Sequence, residues 1–157
     1  IGYGNPGRLD DGLGPAFAEA VERFDIDGVT VDSDYQLMVE DSLAVLDHDV
    51  TLFADADVSG PEPFYVKKIV PGDYASFSTH SIRPQALLAL TRKLFEKDVD
   101  AYVLGIRGYE FNEFGEGLSA KAADNLAEAV KTIEPMLRRK QVVEIRADRV
   151  AEVKIDE

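Results

Sequence analysis

Apolar residues that return every three or four positions predict four helices in this chain. The first helix is expected over residues 13–24, with Phe17, Val21 and Phe24 on one face, and the second is a short segment marked by Val39, Leu43 and Leu46. The third begins just beyond His80 and is marked by Leu87, Leu88, Leu90, Thr91, Leu94 and Phe95. The fourth covers residues 119–139, is capped by Ser119 and buries Leu126, Val130, Ile133 and Leu137.

Short runs of apolar and β-branched residues between these helices predict strands. The runs are Val29–Val31, Thr51–Ala54 ending in Asp55, Phe64–Val70 and Ala101–Ile106. Residues 1–14 form a glycine-rich loop, so we expect Ile1 to end a strand whose earlier part precedes this numbering. The alternation of strands and helices predicts one three-layer α/β/α domain with a mostly parallel sheet over residues 1–140. The charged tail, residues 141–157, is either a peripheral strand or disordered.

The composition narrows the chemistry open to the chain. At 157 residues it can bury a sizeable single core, and because it has no cysteine, thiol nucleophiles, thiolate zinc sites and iron–sulfur clusters are excluded. A net charge of −13 without a basic patch argues against nucleic acid as a partner. No apolar run approaches a membrane span and no signal-peptide pattern is present, so we expect a cytoplasmic protein that does not enter membranes.

In open α/β sheets sites form at the carboxyl ends of strands, and three such ends are notable here: the loop after Ile1, the turn at Asp55 and the loop from Gly105 to Gly117. Asp10 and Asp11 lie between the glycine loop and a helix start, where capping is the commonest role of an acidic residue. Asp55 ends a buried strand and needs a partner there, whereas Asp57 is accounted for by the turn that follows it. His80 precedes a helix and could be a plain loop residue, a base or a metal ligand.

Other polar residues and motifs contribute less. His48 lies in a charged turn of surface character, and Arg8 and Arg107 are left out of the catalytic set. Two carboxylates and an imidazole suit nickel, zinc, manganese or iron and leave coordination positions open. The chain contains no HExxH, GxSxG or CxxC motif, no GxGxxG fingerprint and no P-loop, so the common routes to hydrolysis and nucleotide binding lack support.

The segment Gly4-Asn5, followed by Asp10-Asp11-Gly12-Leu13-Gly14, resembles the opening signature of the nickel-iron hydrogenase maturation endopeptidases. The resemblance continues through Asp55-Ala56, Thr79-His80 and Leu104-Gly105-Ile106, and it covers residues 1–135. Residues 32–37 depart from the glycine-containing loop of the family. Together with residues 107–111 and 117–119, they are similar to the branch that serves NAD-linked, bidirectional hydrogenases.

The resemblance implies a function and a set of site residues. Family members remove a carboxyl-terminal peptide from the hydrogenase large-subunit precursor after nickel insertion, and two acidic residues and a histidine engage metal. By motif position these fall on Asp11, Asp55 and His80. The metal would be the nickel presented by the substrate, or another divalent ion such as zinc in the isolated protein. We expect a monomer that docks on the precursor.

Two other functions stay open from the residues alone. A metal-dependent nucleotide or nucleoside hydrolase also suits a glycine loop with acidic residues at strand ends, although the chain offers no phosphate cradle. A non-catalytic nickel-binding accessory protein would be expected to carry more histidine.

Overall fold

The computed structural model describes residues 1–72 and 82–146. The strands are β1 (Gly2–Tyr3), β2 (Ser33–Asp34), β3 (Val50–Asp57), β4 (Phe64–Ile69) and β5 (Asp100–Arg107), and the helices are α1 (Leu13–Phe24), α2 (Asp41–Leu46), α3 (Pro84–Phe95) and α4 (Ala120–Arg138), with a 3-10 turn at Leu9–Gly12 before α1.

The strands form one five-stranded sheet in the order β2-β1-β3-β5-β4. β1, β2, β3 and β5 are parallel, and β4 runs antiparallel to β5 at one edge. Helices α1 and α4 cover one face, and α2 and α3 cover the other. The predicted three-layer α/β/α domain with a mostly parallel sheet is therefore confirmed.

Two hydrophobic clusters, one on each face of the sheet, form the core. Alternate residues of β3 divide between them: Ala54 packs against Leu13 and Phe17 of α1, whereas Phe53 packs against Leu87 of α3. This alternation follows from the two-residue period of a strand. For the same reason, Asp55 and Asp57 lie on the face of the sheet to which Phe53 belongs.

The structure corrects three predictions about local elements. The first strand ends at Tyr3 and not at Ile1, because Gly2 and Tyr3 pair with β2. No strand forms at Val29–Val31; β2 lies further along at Ser33–Asp34, although Val29 and Val31 still pack against the core. The second helix does form, but Val39 and Leu43 are exposed, and Val45 supplies its buried apolar contact. A helix of six residues is too short for its apolar period to define a face.

The remaining elements agree well with the sequence. α1, β5 and α4 lie where they were predicted, and Ser119 caps α4 by accepting from the Ala122 amide at 3.3 Å. Residues 141–146 run beside β4, where Ile145 pairs with Val66 and is buried. The predicted polar loop at residues 76–80 and the rest of the charged tail lie outside the described residues. Within the described segments, no helix is long and apolar enough to cross a membrane.

Close packing of α1 on the sheet depends on glycine at position 14. A Cβ atom there would stand 2.3 Å from the Tyr3 carbonyl oxygen and 2.5 Å from that of Ala54. Both atoms belong to the backbone of central strands and cannot move away easily. The contact sets the distance between the helix and the strands whose ends carry the candidate residues.

We predict that Gly14→Ala lowers the free energy of unfolding by about 3 kcal/mol, the upper part of the usual range for overpacking. The substitution would otherwise gain about 1 kcal/mol, because alanine is the better helix former. Urea denaturation of the two proteins measures the difference. A stabilised variant would show that α1 does not approach the strands this closely.

Candidate active site

The loop after β1 and the loop after β5 are joined through Asp10, whose side chain is fully buried. Its carboxylate accepts hydrogen bonds from the backbone amides of Tyr109, Glu110 and Ser119 at 2.8, 3.0 and 2.7 Å, and from the Ser119 hydroxyl at 2.7 Å. Burial alone would raise the pKa of Asp10, but these hydrogen bonds outweigh it and lower the pKa.

Asp10 therefore has a different role from the one its sequence position suggests. Neither the 3-10 turn nor α1 receives a side-chain cap at its start, and the partners of Asp10 lie about a hundred residues away along the chain. Sequence reasoning missed this connection because nothing local to Asp10 signals it. The tie brings Ser119, the cap of α4, to the carboxyl edge of the sheet.

Asp11 is held by the glycine–asparagine loop that precedes it. Its Oδ2 accepts from the Asn5 amide at 2.8 Å, and the Asn5 side chain accepts from the Gly7 amide at 2.9 Å. Gly4 has a φ of 141°, and a Cβ atom there would stand 2.0 Å from the Asp11 carbonyl oxygen. Glycine and asparagine at these positions thus shape the loop around Asp11.

Asp55 and Asp57 lie on the same face of the sheet, because β3 continues through residue 57. The hydroxyl of Tyr3 and the amide of Ala56 form hydrogen bonds with the Asp55 carboxylate. Burial raises the pKa of Asp55 to about 7, and the charges of Asp11 and Asp57 act in the same direction. The structure therefore brings Asp11 and Asp55 within electrostatic reach of each other.

Asp57 is in a different environment from Asp55. Its Oδ1 accepts from the amides of Ser59 and Gly60 at 3.0 and 2.7 Å, and its Oδ2 accepts from the Tyr65 hydroxyl at 2.7 Å. Burial acts to raise the pKa of Asp57, but the hydrogen bonds and the nearby Arg107 lower it overall. Both oxygens of Asp57 are therefore engaged in holding the turn and the Tyr65 side chain.

The Tyr65 side chain reaches Asp57 across a glycine. Gly105 pairs with Asp55 on one side and with Tyr65 on the other, and a Cβ atom at position 105 would stand 2.3 Å from the Tyr65 ring. Burial raises the pKa of Tyr65, and its hydrogen bond to Asp57 adds to this, so the phenol stays protonated and donates. The only sequence signal of this arrangement is the glycine inside an apolar strand.

The third predicted ligand, His80, lies outside the described residues. His48 is elsewhere: its Nδ1 lies 2.6 Å from the Ala44 carbonyl oxygen and its Nε2 lies 3.1 Å from the Thr30 hydroxyl, at the amino end of β3. Over residues 1–72 and 82–146, no group of three histidine or acidic side chains is placed to hold a metal ion. A third ligand beside Asp11 and Asp55 is therefore not among the described residues, and His80 stays a prediction.

Comparison with solved structures shows the same fold over nearly the whole chain. The hydrogenase maturating endopeptidase HybD from E. coli has a TM-score of 0.70 and 24% identity, over 94% of this chain and 96% of that one. The [NiFe] hydrogenase maturation protease HycI from Thermococcus kodakarensis KOD1 has a TM-score of 0.65 and 20% identity, over 87% and 89%. The hydrogenase 2 maturation peptidase from a Thaumarchaeota archaeon has a TM-score of 0.62 and 16% identity, over 87% and 94%. No protein-family model and no curated protein sequence matches the chain.

We predict that Asp10→Ala lowers the free energy of unfolding by about 3 kcal/mol or more, because it leaves several buried donors without an acceptor. Hydrogen exchange at the Tyr109, Glu110 and Ser119 amides should become faster. The control is Asp124→Ala at an exposed position of α4, which should change stability by no more than about 0.5 kcal/mol. Equal stability of the two variants would contradict the role given to Asp10.

A second prediction concerns pH. In the unfolded chain Asp55 ionises near pH 3.8, whereas in the metal-free folded protein it keeps its proton up to about pH 7. Asp55 therefore destabilises the fold progressively as pH rises between these values, by as much as about 4 kcal/mol above pH 7. Asp55→Asn should be about 2 to 4 kcal/mol more stable than the parent at pH 8 and nearly equal to it at pH 4.

Asp57→Asn is the matched control for that measurement. Because the folded state lowers the pKa of Asp57, its charge stabilises the protein at pH 8, and the amide should be less stable there. The measurement is urea denaturation of the parent, Asp55→Asn and Asp57→Asn in EDTA at pH 4 and pH 8. The same sign of change in both variants at pH 8 would refute the distinction between the two carboxylates.

Proposed function

We propose that this chain is an endopeptidase that removes the carboxyl-terminal extension of a nickel-iron hydrogenase large-subunit precursor after nickel insertion. One observation carries the proposal. The chain shares its fold over 94% of its length with an endopeptidase of hydrogenase maturation, and Asp11 of the resemblance motif is close enough to Asp55 for its charge to raise the pKa of Asp55. The proposed protein is a cytoplasmic monomer that docks on its precursor.

In this proposal Asp11, Asp55 and His80 engage the nickel that the precursor already holds. Asp11 accepts a hydrogen bond at Oδ2 from the Asn5 amide, and in this proposal its Oδ1 binds the cation. Asp55 ionises at about pH 7, and an approaching cation favours its charged form. The two carboxylates are thus poised to bind a metal that arrives with the substrate.

The nickel would serve both recognition and catalysis. Metal held by three side chains keeps positions open, where it orients the scissile peptide and polarises a carbonyl or a water molecule. Without nickel, the three ligands have little to hold, so a precursor that lacks nickel should survive. This ties cleavage to a correctly loaded substrate.

Asp10 is excluded as the general base of this reaction. Its position beside Asp11 invites that role, but both of its oxygens accept hydrogen bonds and its side chain has no accessible surface. A general base must reach the proton that it removes. Asp10 instead holds the backbone that carries Asp11.

The test is cleavage of purified nickel-loaded precursor, together with nickel binding by calorimetry, for the parent and for Asp11→Ala, Asp55→Ala and His80→Ala. We expect each substitution to weaken nickel binding and to slow cleavage at least about 100-fold, more than the loss of a residue that only supports a ligand. Circular dichroism checks that each variant is folded.

The chain offers matched controls for both residue types. His48→Ala removes the second histidine, and Asp49→Ala removes a surface aspartate beside it, and both should cleave at the parental rate. Cleavage that persists without Asp11, Asp55 and His80 would overturn the site. A parent that leaves the precursor intact but hydrolyses a nucleotide in an EDTA-sensitive manner would favour the nucleotide or nucleoside hydrolase. A parent that binds nickel without cleaving any substrate would favour the accessory protein.

A further inference from the structure

Phe114 is the most exposed large apolar side chain in the described part of the chain, with 88% of its surface accessible. It lies in the loop between β5 and α4, on the same edge of the sheet as Asp11 and Asp55. Tyr35, after β2, and Val58, after β3, are also exposed on loops at this edge, at 69% and 62%. Single exposed apolar residues are common, so exposure alone does not indicate a partner.

The backbone beside Phe114 is firmly held. The Gly115 amide donates to the Gly7 carbonyl oxygen at 2.8 Å, and the Leu9 amide donates to the Gly115 carbonyl oxygen at 3.0 Å, which makes a parallel bridge between Arg8 and Gly115. The Asp10 carboxylate holds the same loop at both ends. Phe114 is therefore presented to solvent by a fixed loop, and its exposure does not come from looseness.

The side chain of Phe114 is also positioned. The guanidinium carbon of Arg8 lies 5.7 Å from the centre of the ring, within the range of a cation–π contact. Arg8 and Asp11 are three residues apart, so their Cα atoms are separated by no more than roughly 11 Å. Leu9, between them, has a φ of 54°, a conformation that costs a leucine about 1 kcal/mol or more. The loop thus keeps a strained backbone while it holds an aromatic ring beside the Asp11 segment.

We propose that Phe114 is a docking anchor that inserts into an apolar pocket on the folded body of the hydrogenase precursor. The inference rests on the proposed function. Aromatic side chains held in place before binding make strong anchors, because they bury a large area and little conformational freedom is lost. Insertion of Phe114 would bring the precursor to the carboxyl edge and align its metal with Asp11 and Asp55.

The charges around Phe114 specify the partner further. Arg8 is the cation at the ring itself, but Glu110, Glu113 and Glu116 are exposed on the same loop, and the whole chain carries a net charge of −13. The pocket that receives Phe114 should therefore have basic residues on its rim. Such rim charges act mainly on the rate of association and are screened by salt.

The experiment is steady-state cleavage of purified nickel-loaded precursor by the parent, Phe114→Ala, Phe114→Trp and Leu94→Ala. Leu94 is the matched control, since it is also exposed, at 56%, but lies near the carboxyl end of α3, toward the opposite edge of the sheet. We expect Phe114→Ala to raise KM at least about tenfold with kcat within twofold of the parent, because the ring binds the precursor and does not touch the reacting atoms. Phe114→Trp and Leu94→Ala should stay near the parental KM.

Each outcome separates this inference from the function on which it rests. If the parent cleaves but Phe114→Ala has an unchanged KM, or Leu94→Ala has the same effect, the anchor is refuted while the proposed function stands. A fall in kcat alone would also refute it, since that indicates a role in chemistry or in loop position. If the parent does not cleave, the proposed function fails. Calorimetric binding of the precursor then tests the anchor directly: weaker binding by Phe114→Ala supports it, and equal binding, or none by the parent, overturns it.

Discussion

The carboxylate of Asp10 is the interaction on which the candidate site depends. A buried charge is tolerated only when hydrogen bonds replace its hydration, and Asp10 obtains four of them from a loop about a hundred residues away. That exchange fixes the loop after β5 against the loop after β1. The same tie sets the start of α4, the position of Asp11 and the placement of Phe114. Hydrogen bonds to one buried side chain therefore hold the main loops at the carboxyl edge of the sheet.

Asp55 and Asp57 lie on one face of β3, yet their different environments shift their pKa values in opposite directions. Asp57 receives hydrogen bonds from its own turn and from Tyr65, so its charge is stabilised and its oxygens are engaged. Asp55 is more deeply buried with fewer donors, so its charge is costly in the metal-free protein. A site that binds a cation benefits from the second arrangement, because the arriving charge relieves an existing penalty. Gly105 leaves room for the Tyr65 ring, so that the Tyr65 hydroxyl can donate to Asp57.

Elements with strong local signals could be predicted from the sequence. The apolar period of α1 and the capped start of α4 lie close to where they were expected, and so do the buried runs of β3 and β5. β2 was misplaced because pairing with β1 decided its position, whereas the β-branched residues only pack against the core. At the candidate site, the motif predicted Asp11, Asp55 and His80; the structure brings the first two within electrostatic reach of each other, and the role of all three stays a prediction. The partners of Asp10 and the reach of Tyr65 could not be predicted, since both depend on contacts between segments distant in sequence.

The two borders of the sheet limit its ability to recruit strands from other molecules. On one border, β2 is only two residues long and ends in an aspartate. On the other, Ile145 exchanges two backbone hydrogen bonds with Val66 at 2.9 Å, and the Lys68 amide donates to the Glu144 side chain at 2.9 Å. Short, charged or occupied borders are the means by which native sheets avoid joining edge to edge. Residues 141–146 therefore cover the β4 border, and loss of this segment would expose that border to self-association.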